Sequence, residues 1–374
     1  LAGGDVLCVN EFQQVHADAY NANFPDTPVI VDDIRNVESQ QIRQIIGDVA
    51  IDIVDGSPPC PPFSMSGSKK EGWGKEKMAY GWKQKNIEDL TFDQVRLVKE
   101  LQPKVLLCEN VKGLTMDYAR EYLNMMLKEF EDCGYIMTHK VLNAWEHGVP
   151  QKRERIFMVG VRNDVADKIG MNWMTMGNVY PEPDRGKKPT IRDAIEDLQK
   201  ESDNIKNAEE LYESMKNCSK GHWVHGFKTH QDFPGSGPCE GLKGVVNKEK
   251  VVSIGDDIVG PWFAEQIENG IIKSEDEKHS YYMSRIVPYD QAAHSLTEKG
   301  LNHKFMGGNH FHPEEYRIYT LREAQRIMTL PDDYIHTGSL EDSQARIGLM
   351  VAPLCLYYLV KSINEKVLEP YGNK

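Results

Sequence analysis

The sequence predicts an α/β fold with a doubly wound, mostly parallel sheet and a second, smaller and irregular domain. Three observations predict it. Short apolar runs alternate with helix-compatible segments up to about residue 160. Four of these runs carry an acidic residue within their last three positions, which is typical of parallel strands whose carboxyl ends bind ligands. After about residue 180 the chain becomes polar, glycine-rich and weakly periodic.

The elements follow from these runs and from the residues that end them. Runs rich in β-branched residues predict strands over residues 5–11, 29–33, 49–56, 104–111, 135–142 and 155–161. Apolar spacing predicts helices over residues 91–101, 118–133, 320–329 and 352–365. Pro103 ends the first of these helices, and Gly134 ends the second. Residues 65–89 contain few aliphatic residues and are predicted to form a long mobile loop.

Composition also predicts the domains. Residues 1–180 should form the first part of the main domain, 181–316 a second domain, and 317–374 helices that return to the first. The proline-rich stretch 181–189 has the composition of a linker. With 40% hydrophobic and 27% charged residues, the chain has the composition of a soluble globular protein.

Charge and cysteine content exclude several classes of protein. The net charge of −13 argues against a polyanionic partner unless basic residues cluster locally. No stretch approaches the roughly 20 apolar residues of a membrane helix, and no signal peptide is recognisable. The seven cysteines form no CxxC pair, which argues against a zinc ribbon or a disulfide framework. We therefore expect a cytoplasmic protein without a metal site.

Cys60 lies in Ser57-Pro-Pro-Cys-Pro-Pro-Phe-Ser64, directly after a predicted strand. Each proline fixes its own φ and keeps the preceding residue out of the helical region. This predicts a stiff, extended loop at the carboxyl end of the strand. The alternative is an inert structural thiol in an apolar core, but a core strand has no use for four prolines.

The segment after Cys60 concentrates positive charge. Residues 66–85 carry six lysines against two glutamates, with three aromatic residues between them. Lysines contact phosphates, and aromatic side chains wedge or stack against bases. The alternative is a solvated lysine-rich loop, but the position beside a reactive thiol favours nucleic acid.

Five ordered blocks resemble the cytosine-C5 DNA methyltransferases, most closely the bacterial restriction-modification type. They are residues 58–64 around Cys60, Glu109-Asn-Val111, Gln151-Lys-Arg-Glu-Arg155, residues 319–334, and Ile347-Gly-Leu-Met-Val-Ala-Pro353. Each block alone is weak evidence for the family, but the order and spacing of the five blocks together are specific to it. The matches leave out roughly residues 165–280.

The resemblance implies transfer of a methyl group from S-adenosylmethionine to carbon 5 of a flipped-out cytosine in a specific duplex DNA sequence, with S-adenosylhomocysteine as product. The Cys60 thiolate would add to carbon 6 and so make carbon 5 nucleophilic. Glu109 would hold ring N3 and the exocyclic amine. Arg155 would bind O2, with Arg153 and Gln151 in support. Alternatively, Glu109 is a capping or surface acid and the arginines are strand-end charges.

The same resemblance implies binding residues. Glu11 would bind the ribose hydroxyls of the cofactor, Phe12 would pack on adenine, and Asp33 and Ile34 would flank it. Further cofactor-side candidates by family position are Pro59, Leu90 and Val351. The DNA-contact candidates are Ser64, Ser66, Lys69, Lys70, Trp73, Lys75, Lys77 and, within the recognition domain, Arg285.

The chain departs from the family pattern twice. The family opens with a strand and a glycine-rich turn, whereas this sequence begins after that point, so we expect its numbering to start inside a longer protein. The closing block usually reads Gly-Asn-(Ala/Ser)-Val, but here Leu349 and Met350 follow Gly348. The asparagine's polar contact near the cofactor would therefore be missing.

Three other functions are alternatives to this one: a tRNA cytosine-C5 methyltransferase, a DNA-binding relative with an impaired cofactor site, and a cysteine hydrolase. The hydrolase needs a histidine base, and the candidate His147 lies on the wrong side of Gln151 in the sequence. We expect a monomer that binds double-stranded DNA and no membrane. A cognate restriction endonuclease is expected as a functional, not a physical, partner.

Overall fold

The computed structural model describes residues 2–59, 90–117, 119–200, 287–297 and 319–373, residues 301 and 310, and the backbone of 77–79 and 82–84. It divides into two compact units. Unit 1 comprises Leu1–Asn143, Glu154–Pro183 and Cys355–Lys374, and unit 2 comprises Ala144–Arg153 and Asp184–Leu354.

The described strands and helices alternate along most of the chain. In order they are β1 (Val9–Glu11), α1 (Gln14–Asn23), β2 (Val29–Val31), α2 (Ser39–Ile46), β3 (Ile53–Gly56), β4 (Lys77–Ala79), β5 (Trp82–Gln84), α3 (Leu90–Leu101), β6 (Val105–Val111), α4 (Arg120–Asp132), β7 (Tyr135–Asn143), β8 (Gln151–Lys152), β9 (Glu154–Arg162), α5 (Asn163–Ile169), α6 (Ile191–Ile195), β10 (Ala293–His294), α7 (Leu321–Ile327), α8 (Leu340–Leu349), α9 (Pro353–Ile363) and α10 (Glu369–Gly372).

The main sheet of unit 1 has the strand order β3-β6-β9-β7. β3 and β6 are parallel, as are β1 and β2 in a separate pair. Helices α1 and α3 connect these parallel strands, so the predicted α/β class is confirmed. β9 runs antiparallel to β6 and to β7. The connection from β7 to β9 contains no long helical crossover, so the two strands pair as antiparallel neighbours.

Helices α3 and α4 cover one face of this sheet. Val95 and Val98 of α3 and Phe130 of α4 pack with Leu106 of β6 in one buried cluster. On the opposite face Leu107, Phe157 and Val159 are fully or almost fully buried. Four apolar residues near the C-terminus, Cys355, Leu359, Ile363 and Val367, are buried as well. This core fixes the ends of β3, β6 and β9, where the candidate site residues lie.

Gly160 of β9 is required by close packing across the sheet. It pairs with Leu106 on one side and Met137 on the other. A Cβ atom at Gly160 would lie 2.5 Å from Met137 Sδ and 2.8 Å from Leu106 Cγ. We therefore expect Gly160→Ala to lower the free energy of unfolding by roughly 1–3 kcal/mol, as other overpacked cores do.

Urea denaturation would measure this loss. The matched control is Gly177→Ala, because a Cβ atom there meets nothing within 4 Å. Equal stability of the two variants would contradict the packing argument.

Several strands are shorter than the sequence predicts. β1 begins at Val9 rather than Asp5, and β3 begins at Ile53 rather than Val49. Val6, Leu7 and Val49 are exposed apolar residues, so they do not extend the strands as the apolar runs suggested. The prediction of a loop throughout residues 65–89 was also wrong, because β4 and β5 form an antiparallel pair there.

Unit 2 contains α6, α7 and α8 and the short parallel pair β8–β10. Each helix begins at a capping box, in which Thr190, Thr320 or Ser339 exchanges hydrogen bonds with an acid three residues later. The predicted helix over 320–329 is confirmed as α7, and the one over 352–365 as α9. Most of the predicted second domain, 181–316, lies outside the described residues, and its boundaries stay a prediction.

Contrary to the expectation from the sequence, one helical stretch among the described residues, Leu340–Gly372, is long and apolar enough to span a membrane, judged by length and composition alone. A buried core helix passes the same test. Within unit 1, Cys355, Leu359, Ile363 and Val367 recur every four residues along this stretch and are all buried. One face of the segment therefore packs against protein.

Candidate active site

Glu109 and Arg155 meet at the end of the main sheet. Glu109 lies opposite Phe157, and Arg155 opposite Val111, in the antiparallel pairing of β6 with β9. This register places both side chains on one face. Arg155 Nε lies 3.1 Å from Glu109 Oε1, and the two side chains are only 18% and 12% exposed. The arginine thus orients a carboxyl group that is largely shielded from water.

Asn110 ties β6 to the loop that leads to Cys60. Its side-chain Nδ2 donates to the carbonyl of Pro58 at 3.1 Å, and its Oδ1 accepts from the Val111 amide at 2.9 Å. Asn110 is buried. No role for Asn110 was predicted from the sequence. Its signal was an amide near the carboxyl end of a mostly apolar strand, where its polar atoms need partners.

Arg153 and Gln151 lie in unit 2 and contact backbone there. Arg153 is 2% exposed, and its guanidinium donates to the carbonyls of Leu296 at 2.6 Å, Gly348 at 3.0 Å and Met350 at 2.9 Å. Gln151 is fully buried, and its Oε1 accepts from the Leu296 amide at 2.8 Å. These contacts hold segments that are far apart in sequence, which favours a positioning role for both residues.

The candidate cofactor acids follow the parallel pair β1–β2. Glu11 ends β1, and its Oε1 accepts from the Gln13 amide at 2.8 Å. Asp33 accepts from Arg35 Nε at 2.9 Å. This hydrogen bond lowers the pKa of the Asp33 carboxyl, which therefore stays ionised at neutral pH. The structure thus places two carboxylates after neighbouring parallel strands.

Five further candidates for cofactor contact are apolar, and two of them, Phe12 and Ile34, directly follow these acids in the sequence. Phe12 is 40% exposed, which leaves its ring available for stacking. Ile34 is half-buried, and its carbonyl accepts from Arg96 Nη2 at 2.9 Å. Pro59 and Leu90 are also half-buried in unit 1. Val351, half-buried between α8 and α9, belongs to unit 2.

The predicted nucleophile and most DNA-contact candidates fall outside the described residues. These are Cys60, Ser64, Ser66, Lys69, Lys70, Trp73, Lys75 and Arg285. Only the backbone of Lys77 is described, in β4. Among the residues that are described, no three His, Cys, Asp or Glu side chains form a group that could hold a metal ion.

Comparisons with known proteins agree on one family. A family model described as C-5 cytosine-specific DNA methylase matches residues 1–365. Type II methyltransferase M.PspPI of Psychrobacter sp. (strain TA137) is 29% identical over 359 residues, which cover 93% of this chain and 70% of that protein. Type II methyltransferase M1.HphI of Haemophilus parahaemolyticus is 27% identical over 377 residues, covering 100% of this chain and 83% of that protein.

Solved structures show the same fold. A prophage-encoded Escherichia coli protein superposes with a TM-score of 0.59 at 19% identity, covering 98% of this chain and 94% of that chain. The Dnmt2 methyltransferase of S. pombe gives a TM-score of 0.52 at 17% identity, covering 96% and 91%. The predicted fold is therefore found in solved proteins across nearly the whole chain.

Proposed function

The chain belongs to the C-5 cytosine-specific DNA methylase family, and from this premise we propose how its residues carry out the reaction. The protein is a DNA methyltransferase that acts on carbon 5 of cytosine. The family uses S-adenosylmethionine, which supplies an electrophilic sulfonium methyl group when it is bound. Because its Type II relatives are DNA enzymes, methylation of tRNA is not favoured.

The observation that carries the mechanism is the Glu109–Arg155 pair, with its 3.1 Å contact on one face of the sheet. When the Glu109 carboxyl is protonated against the base, it donates to cytosine N3, and its other oxygen accepts from the exocyclic amine. The guanidinium donates to O2. Together these contacts draw electron density out of the ring and make carbon 6 electrophilic. The Cys60 thiolate adds there, and carbon 5 becomes the nucleophile.

The residues near β1 and β2 fit an adenosine group. Glu11 would accept from the ribose hydroxyls, as acids after a strand do in other α/β folds. Phe12, with its exposed ring, and Ile34 would contact adenine. Asp33, kept ionised by Arg35, would accept from the adenine amine. Pro59 and Leu90, which also belong to unit 1, would complete the cofactor contacts.

Duplex DNA would be held by the lysine-rich segment after Cys60. Lys69, Lys70, Lys75 and Lys77 would contact phosphates, with Ser64, Ser66 and Trp73 near the target base. Arg285 would contribute to recognition. The enzyme would act as a cytoplasmic monomer beside a cognate restriction endonuclease.

Bisulfite sequencing of DNA from cells that express the protein tests this function. The expected result is methylated cytosine at one recurring sequence, and none in cells that express Cys60→Ser. Purified protein should also transfer methyl groups to duplex DNA and not to tRNA. Unmodified DNA in both assays would contradict the proposal.

Glu109→Gln is expected to slow methyl transfer by roughly 10²–10⁴-fold, because the amide cannot exchange a proton with N3. Single-turnover kinetics on duplex DNA would measure the rate. Glu154→Gln is the matched control, since Glu154 is an exposed glutamate whose carboxylate bonds Lys112 Nζ at 2.8 Å. A similar loss in both variants would argue for a general charge effect instead of a role at the base.

A further inference from the structure

Asp55 shares the sheet face that carries Glu109. It lies opposite Leu107 in the parallel pairing of β3 with β6, and Glu109 follows two residues after Leu107. Residues two apart in a strand project to the same face. Strand spacing and rise place the Asp55 and Glu109 Cα atoms about 8 Å apart. Two acids therefore lie on one face at the carboxyl ends of adjacent parallel strands.

These two acids differ in their partners. Glu109 is held by Arg155 at 3.1 Å, whereas no Lys, Arg or His among the described residues forms an ion pair with Asp55. Asp52, three residues earlier, does have such a partner, Lys104, at 2.6 Å. Asp55 is thus a carboxylate beside a like charge without a cation of its own in the described chain.

The surroundings of Asp55 raise the free energy of its charged form. Asp55 is exposed to solvent, while nearby protein still desolvates its carboxyl group. Desolvation first, and the charge of Glu109 second, raise the pKa of Asp55 to about 6. A cation that reaches Asp55 from the solvent would offset both effects.

We propose that Asp55 binds the α-ammonium group of the methionine portion of S-adenosylmethionine, an assignment that rests on the proposed function. Ligands of open α/β sheets bind at the carboxyl ends of the strands, where Asp55 lies. An ammonium group donates up to three hydrogen bonds, whereas a sulfonium donates none. DNA phosphates are excluded as partners because they repel a carboxylate. The role belongs to cofactor binding and is separate from the Glu109–Arg155 contact with the base.

The test compares two ligands that differ in the amino-acid portion. S-adenosylhomocysteine carries the ammonium group and no sulfonium, and 5′-methylthioadenosine lacks the amino-acid portion. Isothermal titration calorimetry would measure both with the wild-type protein, Asp55→Asn and the matched control Asp52→Asn. We expect Asp55→Asn to lose at least tenfold in affinity for S-adenosylhomocysteine and to bind 5′-methylthioadenosine within about twofold of wild type. Asp52→Asn should bind both ligands as the wild type does.

The outcomes separate this inference from the function on which it rests. Wild-type affinity of Asp55→Asn for S-adenosylhomocysteine would overturn the inference alone, as would equal losses for both ligands. Failure of the wild-type protein to bind S-adenosylhomocysteine would overturn the proposed function, and the inference with it.

Thermal denaturation checks that the variant folds. Since the pKa of Asp55 is raised on folding, its charged form is disfavoured in the folded protein, and this cost appears as the pH rises through about 6. An uncharged asparagine removes the cost, although the like charge of Glu109 on β6 stays. We therefore expect the Tm of Asp55→Asn to be at least that of the wild type at pH 7.5. A lower Tm would contradict the view of Asp55 as a desolvated, unpaired charge.

Discussion

Replacing Cys60 by serine is expected to abolish methyl transfer while duplex DNA binding largely survives. The nucleophile must add to carbon 6 as an anion, and a thiol reaches that state near neutrality far more readily than a hydroxyl. The backbone around the thiol should not change. Prolines flank position 60, and Asn110 bonds the Pro58 carbonyl independently of the Cys60 side chain. A loss of turnover would therefore report on chemistry and not on loop geometry.

A mechanism-based trap measures this directly. Duplex DNA with 5-fluorocytosine at the target site should link covalently to the wild-type protein in the presence of S-adenosylmethionine, because fluorine at carbon 5 blocks the release step. The adduct should survive denaturing electrophoresis. Cys60→Ser should form none, and the half-buried Cys133→Ser should form it normally. An adduct with Cys60→Ser, or none with wild type, would refute the covalent route.

Arg153→Met is expected to destabilise the protein by about 3 kcal/mol or more. The substitution removes the donors to the carbonyls of Leu296, Gly348 and Met350 at a site that is 2% exposed. Each buried acceptor that loses its partner costs about 1–3 kcal/mol. Methionine fills much of the arginine stem's volume, so the loss should come mainly from the missing hydrogen bonds.

Denaturant unfolding should be followed together with single-turnover kinetics. The control is Arg192→Met, which breaks ion pairs to Asp290 and Glu196 in the same unit. Such exposed pairs contribute about 0–1 kcal/mol. If Arg153→Met were as stable as the control but inactive, Arg153 would contact the substrate, and its assignment as a positioning residue would be wrong.

The block Gln151–Arg155 shows where prediction from sequence ended. Its two arginines are two residues apart and chemically identical, so without the family resemblance the local sequence could not assign them different roles. In the fold, Arg155 pairs with Glu109, and Arg153 bonds to carbonyls 143 to 197 residues away in the chain. Hydrogen-bond partners at that separation are set by tertiary packing.

The sequence by itself determined the α/β class, the order of most strands and helices, and the acids that end the strands, because apolar periodicity and the residues that end a run act locally. Only the tertiary structure decided which charged and polar groups contact one another. It joined Arg155 to Glu109, set Asn110 against the Pro58 carbonyl, and left Asp55 on the same face as Glu109 without an ion pair in the described chain. The physical reason is that ion pairing and desolvation depend on strand register, which brings together residues that are distant in sequence.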